Sequence, residues 1–525
     1  MTSSNSLYQP IMVNQYQYYD SGMYPGTVID NPQDESETQD TSIQAIPDIQ
    51  VAQTRIDQWS QIQNDESEYS LLWSDSNSFE PETFSDNINK IQRWNNIGWG
   101  IAFLINLFIT LVITFVLIGK YKEHEYNPLD KYQSNTAWKC LGISVAVSIL
   151  VNVIHLVYAL FLPEPYIRIG IFIGVVYSIF FVAIPSLVHH NYICLLFPLL
   201  TIVAAIFFFI LGQRNAKFSA AIFKQSIVLV LRYYQIMLFW ILMTILISLI
   251  NLAFSFIVYL VQANNWSNFF YIYVVFSFAW ISQTITYISF MVASGLAASW
   301  YFLERTPYFP RHPILSSAKR AFTTSFGSAS LAGLIMAIIQ MLEVIVRAPP
   351  ATNNQIVNAI IQVLKCIAQC ILAILKGCFI RINQFALCYV SIYGVPFGEG
   401  VRRWFELRTK KFVQVLVAGI SIERCLQYNM MIFVAGGSFL SLGLGYWVFA
   451  EGSEGRIFLP TFTAMVSYMI FDIIKGPLVA IADTLIICFA EAPQMMKTSA
   501  YELYECFLER YGSELLNQKL ENGKF

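Results

Sequence analysis

The stretch GWGIAFLINLFITLVITFVLI, residues 98–118, decides the fold of this chain. It is uncharged throughout, and about twenty consecutive apolar residues in a helix are needed to cross the hydrocarbon core of a bilayer. Similar apolar runs recur along the chain until residue 490. The sequence therefore predicts an all-α, polytopic transmembrane helical bundle.

The composition favours the same class of protein. Of the 525 residues, 56% are hydrophobic and only 13% are charged, and the mean hydropathy is +0.52. Most of the nine cysteines lie in or against apolar segments, which argues against a disulfide framework. Cys366 and Cys370 are four residues apart and have no neighbouring His or second Cys pair. We interpret them as packing residues rather than metal ligands, and the sequence predicts no metal and no cofactor.

Charge divides the chain into parts with different surroundings. Residues 1–92 hold fifteen Asp and Glu but only two basic residues, whereas the remainder has an excess of eleven basic residues. The first part is rich in Gln, Asn, Ser and Tyr and cannot bury enough apolar surface to fold. We therefore predict a disordered acidic cytoplasmic tail at 1–92, which is available to cytoplasmic partners. A transmembrane domain at 93–490 and a short cytoplasmic segment at 491–525 follow.

The apolar runs predict ten spans. They cover residues 98–119, 140–162, 167–188, 192–212, 233–261, 269–302, 325–346, 356–395, 428–450 and 458–489. The sixth, eighth and tenth are too long for one straight crossing, so each is expected to tilt, to extend past the membrane or to break. The eighth contains Lys376, Gly377 and Arg381, and it is the span that we expect to break.

The loops predict the orientation of the bundle. With the N-terminus inside, the cytoplasmic loops carry more than twice as many Lys and Arg residues as the outer loops. Basic residues are retained on the cytoplasmic side of a membrane, so both termini are predicted to be cytoplasmic.

Polar side chains inside the spans point to function, because a charge in hydrocarbon costs several kcal/mol. In the eighth span they form one helical stripe, which either hydrogen-bonds neighbouring helices or lines a water-filled route: Asn358, Gln362, Lys365, Gln369 and Lys376. In the tenth span Asp472 and Lys475 are three residues apart and are placed for an intrahelical pair. If Lys475 instead extends to the surface, Asp472 becomes a counter-charge for a cation or a proton carrier.

Two other classes of protein are disfavoured. The basic run EGVRRWFELRTKK, residues 399–411, lies in a predicted cytoplasmic loop, where contact with anionic lipid is a simpler role than nucleic-acid binding. The chain has only five histidines and no HExxH, HxxxxD or Gly-rich phosphate-binding motif. The sequence therefore predicts neither an enzyme nor an ATP-driven pump.

Four blocks of sequence resemble the signature regions of choline transporter-like proteins. They are SGLAASWYF (294–302), SFGSASLAGLI (325–335), INQFALCYVSIYG (382–394) and IADTLIICFAEAP (481–493), in the order of that family. Only about twenty residues separate the first two spans, as in the compact fungal and protist PNS-type branch. The resemblance implies a plasma-membrane transporter that moves choline or a related organic cation, such as ethanolamine, by facilitated or proton-coupled transport.

Choline favours aromatic faces and a tight fit, because its quaternary ammonium has no hydrogen-bond donor, and one carboxylate can add negative potential. We therefore predict a cage formed by Trp280, Tyr287, Tyr389 and Tyr393. Asp472 is predicted to be its electrostatic partner, and Asn383 is predicted to order the break in the eighth span. Three alternatives remain open, namely a nontransporting scaffold or regulator, a channel and a lipid-handling membrane protein.

Overall fold

A computed structural model describes most of the chain after the acidic tail. The described residues are 94–120, 131–183, 196–263, 268–304, 306, 309–347, 355–410, 413–449, 455–492, 495 and 503–505. The predicted tail at 1–92 lies outside these residues, and so does most of the predicted C-terminal segment at 491–525.

The described residues form thirteen α-helices. They are α1 (Ile97–Lys120), α2 (Lys131–Phe161), α3 (Pro163–Tyr177), α4 (Leu196–Arg214), α5 (Ala216–Arg232), α6 (Gln235–Ala263), α7 (Asn268–Leu303), α8 (Pro313–Phe322), α9 (Phe326–Arg347), α10 (Gln355–Tyr393), α11 (Phe397–Lys410), α12 (Val413–Val448) and α13 (Gly455–Glu491). A short π-helical segment, Ser178–Ala183, continues α3.

Eight of the helices within the described residues are long and apolar enough to cross a membrane: α1, α2, α6, α7, α9, α10, α12 and α13. The predicted third and fourth spans correspond to α3 with its π-helical end and to α4. Residues 184–195, which connect these two helices, lie outside the described residues. The prediction of a polytopic helical bundle is confirmed.

Two details of the predicted spans are wrong. The eighth span does not break, because α10 is one continuous helix over Gln355–Tyr393. Asn383 therefore has no break to order. The ninth span was predicted to begin at residue 428, whereas α12 already begins at Val413. Glu423 and Arg424, which precede the predicted start of this span, lie within the helix in the structure.

Helices α7 and α13 form the centre of the bundle. α13 packs against α2, α5, α7, α10 and α12, and α7 packs against α6, α8, α9 and α10. Every residue of α13 from 477 to 490 is buried, as expected for a helix that is apolar on all sides. The peripheral helices instead expose large apolar side chains: Phe108 and Phe115 on α1 are 67% and 73% exposed. Such a surface suits contact with lipid.

A ladder of polar side chains joins α2 to α13. Ser148 Oγ donates to the Thr463 carbonyl at 3.2 Å, and Asn152 Nδ2 donates to the Ser467 carbonyl at 3.2 Å. Ser467 Oγ in turn donates to Ser148 Oγ at 2.9 Å. Small polar residues at four-residue spacing let two helices approach closely and satisfy their polar groups within the bilayer. The ladder therefore fixes the N-terminal half of α13 against α2.

Candidate functional site

The side chain of Asn383 lies at the contact between α7, α9 and α10 and is completely buried. Its Nδ2 donates to Tyr287 Oη at 3.1 Å and to the Ala332 carbonyl at 3.3 Å. A backbone carbonyl can only accept, so the Ala332 contact fixes which end of the amide is the nitrogen. Asn383 Oδ1 then has no hydrogen-bond partner among the described residues. A free acceptor oxygen therefore belongs to the same amide that donates to the Tyr287 hydroxyl group.

Close approach of α7 and α9 makes this contact possible. A Cβ atom on Gly333 of α9 would lie 2.5 Å from Thr284 Oγ1 and 2.9 Å from Thr284 N of α7. No other residue type leaves room for this approach, because all others carry a Cβ atom. Thr284 is one residue beyond Gln283 and almost one turn before Tyr287 along α7. The helix spacing that Gly333 allows thus positions Tyr287 against Asn383.

Four ionisable side chains form an interior charge cluster beside this contact: Arg381, Glu423, Lys475 and Asp483. Arg381 of α10 bonds to Glu423 of α12, and its Nη1 lies 3.4 Å from Asp483 Oδ2 of α13. Lys475 Nζ lies 3.9 Å from Glu423 Oε1 and 3.4 Å from Gln427 Oε1. The cluster combines two basic with two acidic side chains, so its formal charges balance.

Asp483 is the most deeply buried member of the cluster. Its side chain is 1% exposed, compared with 13% for Arg381 and 20% for Glu423. Asp483 Oδ1 has no hydrogen-bond partner among the described residues, and the same is true of Gln384 Oε1 on α10. Arg381 of the cluster lies two residues before Asn383 on α10. The cluster and the Tyr287 contact therefore belong to one polar region of the interior, which is rich in free acceptor oxygens.

Tyr389 and Tyr393 lie at the C-terminal end of α10. Tyr389 Oη donates to Glu491 Oε1 at 2.6 Å, and the two tyrosine rings stack with their centroids 6.0 Å apart. The Arg403 guanidinium of α11 lies 5.2 Å from the centroid of the Tyr393 ring. Tyr389 is six residues from Asn383, or about 9 Å along α10. These two tyrosines connect the C-terminal ends of α10 and α13 with α11.

The basic residues of α11 are partly paired with an acidic residue of the same helix. Arg403 Nε donates to Glu399 Oε1 at 3.1 Å, and Arg402 Nη2 donates to the same oxygen at 3.0 Å. The hydrogen bond from Arg403, helped by the charge of Arg402, holds the pKa of Glu399 below its ordinary value. The α11 helix therefore keeps its ion pairs at neutral pH.

The two remaining residues of the predicted site lie elsewhere. Trp280 Nε1 donates to the Ser330 carbonyl at 2.9 Å, and its ring meets the Phe103 ring edge-on at 5.8 Å. It is seven residues from Tyr287, or about 10 Å along α7. Asp472 is exposed on the surface of α13. Lys475, its predicted partner, instead faces Glu423 and Gln427.

The structure thus divides the six predicted site residues. It brings Tyr287 to Asn383 and Tyr389 to Tyr393, and it places Trp280 and Asp472 apart from both pairs. The predicted polar stripe of α10 is also divided. Lys376 pairs with Glu343 of α9 at 2.8 Å, whereas Gln362 and Gln369 are exposed.

Sequence reasoning missed Glu423 and the partners of Arg381. A usable signal was present, because Ile422, Leu426 and Met430 recur every four residues and predict a helix that extends upstream of residue 428. Within the described residues, no group of three His, Cys, Asp or Glu side chains is placed to hold a metal ion.

Comparison with known proteins gives the family. The profile of the family described as "Plasma-membrane choline transporter" matches residues 196–494, which is more than half of the chain. A CTL-like protein of Dictyostelium discoideum is 22% identical over 449 residues, covering 80% of this chain and 76% of the relative. Protein PNS1 of Debaryomyces hansenii is 22% identical over 454 residues, covering 80% and 87%.

A further relative matches over a shorter stretch. Protein PNS1 of Gibberella zeae is 24% identical over 242 residues, so the match spans 46% of this chain and 45% of that protein. The matched family segment contains the Tyr287–Asn383 contact, the interior charge cluster and the two stacked tyrosines of α10. The chain therefore belongs to the plasma-membrane choline transporter family, in its PNS-type branch.

Proposed function

We propose that this protein moves choline or a related organic cation, such as ethanolamine, across the plasma membrane by facilitated or proton-coupled transport. Both termini are then cytoplasmic. Membership of a transporter family and the helical fold point to a protein that is not an enzyme. The observation that carries the proposal is the set of free acceptor oxygens in the interior, on Asn383, Gln384 and Asp483, of which the Asn383 amide also donates to the Tyr287 hydroxyl group.

The chemistry of this region suits a hydroxylated quaternary ammonium. The methyl groups around the nitrogen need aromatic faces and negative potential rather than hydrogen-bond acceptors. Tyr287 supplies a ring, and Asp483 supplies a carboxylate whose Oδ1 is not occupied by Arg381. The hydroxyl group of choline can donate to Asn383 Oδ1. We assign the central site to these three residues.

Three other predicted site residues, Trp280, Tyr389 and Tyr393, then form further binding positions along the transport pathway. Trp280 lies about two turns outward from Tyr287, and Tyr389 and Tyr393 lie about two turns inward from Asn383. The Tyr389–Glu491 hydrogen bond and the Arg403–Tyr393 contact close the inner end. A cation that has passed the central site meets these rings next.

The charge of Asp483 determines how strongly a cation binds in this proposal. If Asp483 is neutralised, Arg381 and Lys475 face Glu423 alone, and the cluster becomes net positive. A unit charge about 6 Å away, at an effective dielectric of about 20, is worth about 3 kcal/mol. We therefore expect a loss of roughly a hundredfold in cation affinity.

The experiment is uptake of labelled choline and ethanolamine into liposomes that contain the purified protein. Uptake should be saturable, and Asp483→Asn should greatly raise the KM for uptake. Asp472→Asn is the matched control, because Asp472 is exposed on the same helix and was the carboxylate predicted from the sequence. If Asp472→Asn loses uptake and Asp483→Asn does not, the electrostatic role passes to Asp472.

A protein that only recruits partners should give no uptake above empty liposomes, with or without a proton gradient. That result would contradict the transport proposal and favour a scaffold. Uptake that never saturates would instead indicate a channel.

A further inference from the structure

A groove lies between α6, α7 and α9, apart from the central site. Its volume is about 490 Å³, which is within the usual range for small-molecule sites. The lining includes the polar residues Asn251, Ser282, Gln283 and Gln340 and the aromatic residues Phe254 and Phe278. We call it the outer groove.

The floor of the outer groove lies close to the central site. Gln283 is one helical turn from Tyr287 on α7, and Gln340 is two turns from Gly333 on α9. Gly333 itself contacts Thr284, the neighbour of Gln283. Tyr271, near the start of α7, also lines the groove. With both termini in the cytoplasm, as proposed above, α7 runs from outside to inside, so Tyr271 lies toward the outer surface. The groove therefore leads from the outer surface toward Tyr287 and Asn383.

The lining of the groove suits a small organic cation better than a lipid chain. Most of the described lining is apolar or aromatic, but three amide side chains and a hydroxyl group also face the groove. An acyl chain would match the apolar part alone, whereas a hydroxylated ammonium can use both parts. Ser282 Oγ has no hydrogen-bond partner among the described residues. Polar groups at this depth are costly unless they meet water or a polar ligand. The rings of Phe254 and Phe278 stack with their centroids 4.1 Å apart and offer an aromatic wall.

We infer that the outer groove is a second binding site, at which a trimethylammonium cation binds before it reaches Tyr287 and Asn383. This inference rests on the proposed function for the identity of the ligand. Ring faces would hold the ammonium group by cation–π attraction, and the amide oxygens of Gln283 and Gln340 would accept from its hydroxyl group. The groove lacks a charged residue in its described lining, so the binding should be weak and quickly reversible.

The test measures whether the groove admits such a cation. Ser282→Cys is prepared in a background in which the exposed Cys378 is replaced by Ser, and the protein is placed in lipid nanodiscs. It is treated with a methanethiosulfonate reagent that carries a trimethylammonium group, or with its uncharged ethyl analogue. Mass spectrometry of the peptide that contains residue 282 reports the labelling rate. Thr286→Cys is the control, because Thr286 is exposed one turn away and does not line the groove.

We expect the cationic reagent to label Ser282→Cys much faster than Thr286→Cys, and choline to slow that labelling several-fold. Labelling by the uncharged reagent alone would overturn the inference, because it would make the groove a lipid site. Cationic labelling that choline does not slow would also overturn it. The labelling needs no transport cycle, so its outcome is independent of the liposome uptake result. Loss of uptake with intact labelling and protection would contradict only the proposed function.

Discussion

Two glycines that differ only in their surroundings give a test of the packing that positions Tyr287. Gly333→Ala places a Cβ atom 2.5 Å from Thr284 Oγ1 and 2.9 Å from Thr284 N, and the second of these atoms belongs to the backbone. A rotation of the Thr284 side chain therefore cannot relieve the contact. Helices α7 and α9 must move apart by several tenths of an ångström. Gly377→Ala on α10 meets nothing within 4 Å.

The two substitutions should change the free energy of unfolding in opposite directions. Replacing a helical glycine by alanine stabilises a helix by about 1 kcal/mol. Overpacking of a close contact costs about 1–3 kcal/mol. Gly377→Ala gains helix propensity without overpacking, so it should stabilise the protein. Gly333→Ala has the same gain in helix propensity and also the overpacking cost, so it should be neutral to destabilising by about 2 kcal/mol.

Thermal unfolding of the purified variants in detergent measures this difference. The midpoint for Gly377→Ala should lie at or above that of the wild type, and the midpoint for Gly333→Ala should lie below that of Gly377→Ala. Gly333→Ala should also raise the KM for uptake, because separation of α7 from α9 moves Tyr287 away from the Asn383 amide. Equal midpoints for the two variants would refute the argument that the α7–α9 approach is fixed by Gly333.

Two further predictions concern the tyrosines. Tyr287→Leu should weaken binding of choline about 2- to 30-fold, because the cation–π attraction to the ring is worth about 0.5–2 kcal/mol. Binding of the primary amine ethanolamine should weaken less. Competition binding measures both effects, and equal losses for the two ligands would show that Tyr287 is not part of the site. Tyr389→Phe removes the hydrogen bond to Glu491 and should speed alkylation of the buried Cys488 by roughly tenfold, since a bond to a charged group is worth about 1.5–3 kcal/mol. Tyr468→Phe, at an exposed position on the same helix as Cys488, is the control, and an unchanged alkylation rate for Tyr389→Phe would contradict a closing role.

The sequence predicted the structural features that each segment determines on its own. Each span is recognised by its own hydropathy, so the membrane helices and the bundle class followed from the runs themselves. Errors arose where a charge interrupted a run. Arg381 suggested a break and Glu423 preceded the predicted start of its span, but their charges are compensated by each other across α10 and α12. A partner on another helix is not visible in the hydropathy of either segment.

Which residues meet in the interior depends on the rotation and crossing of the helices. Trp280 and Tyr287 share a face of α7 by their spacing. However, Trp280 contacts α1 and α9, whereas Tyr287 contacts α10. Glu423 lies on α12 and Asp483 on α13, so no spacing within one helix relates them. Spacing within one helix could therefore nominate Tyr287 and Asn383, but it could not choose between Asp472 and Asp483.

The interior charge cluster distinguishes a transporter from a scaffold on energetic grounds. Removing two ion pairs from water costs several kcal/mol for each ion, and apolar side chains of similar volume are often neutral or stabilising in their place. A protein that needs only a stable bundle gains nothing from burying Arg381 of α10 against Asp483 of α13. In the proposed transporter, a bound cation would gain a carboxylate that is already desolvated, together with an internal cation that pairs with this carboxylate when the site is empty. The proposal therefore makes Arg381 the counter-ion of Asp483 in the empty site, across the weak 3.4 Å contact.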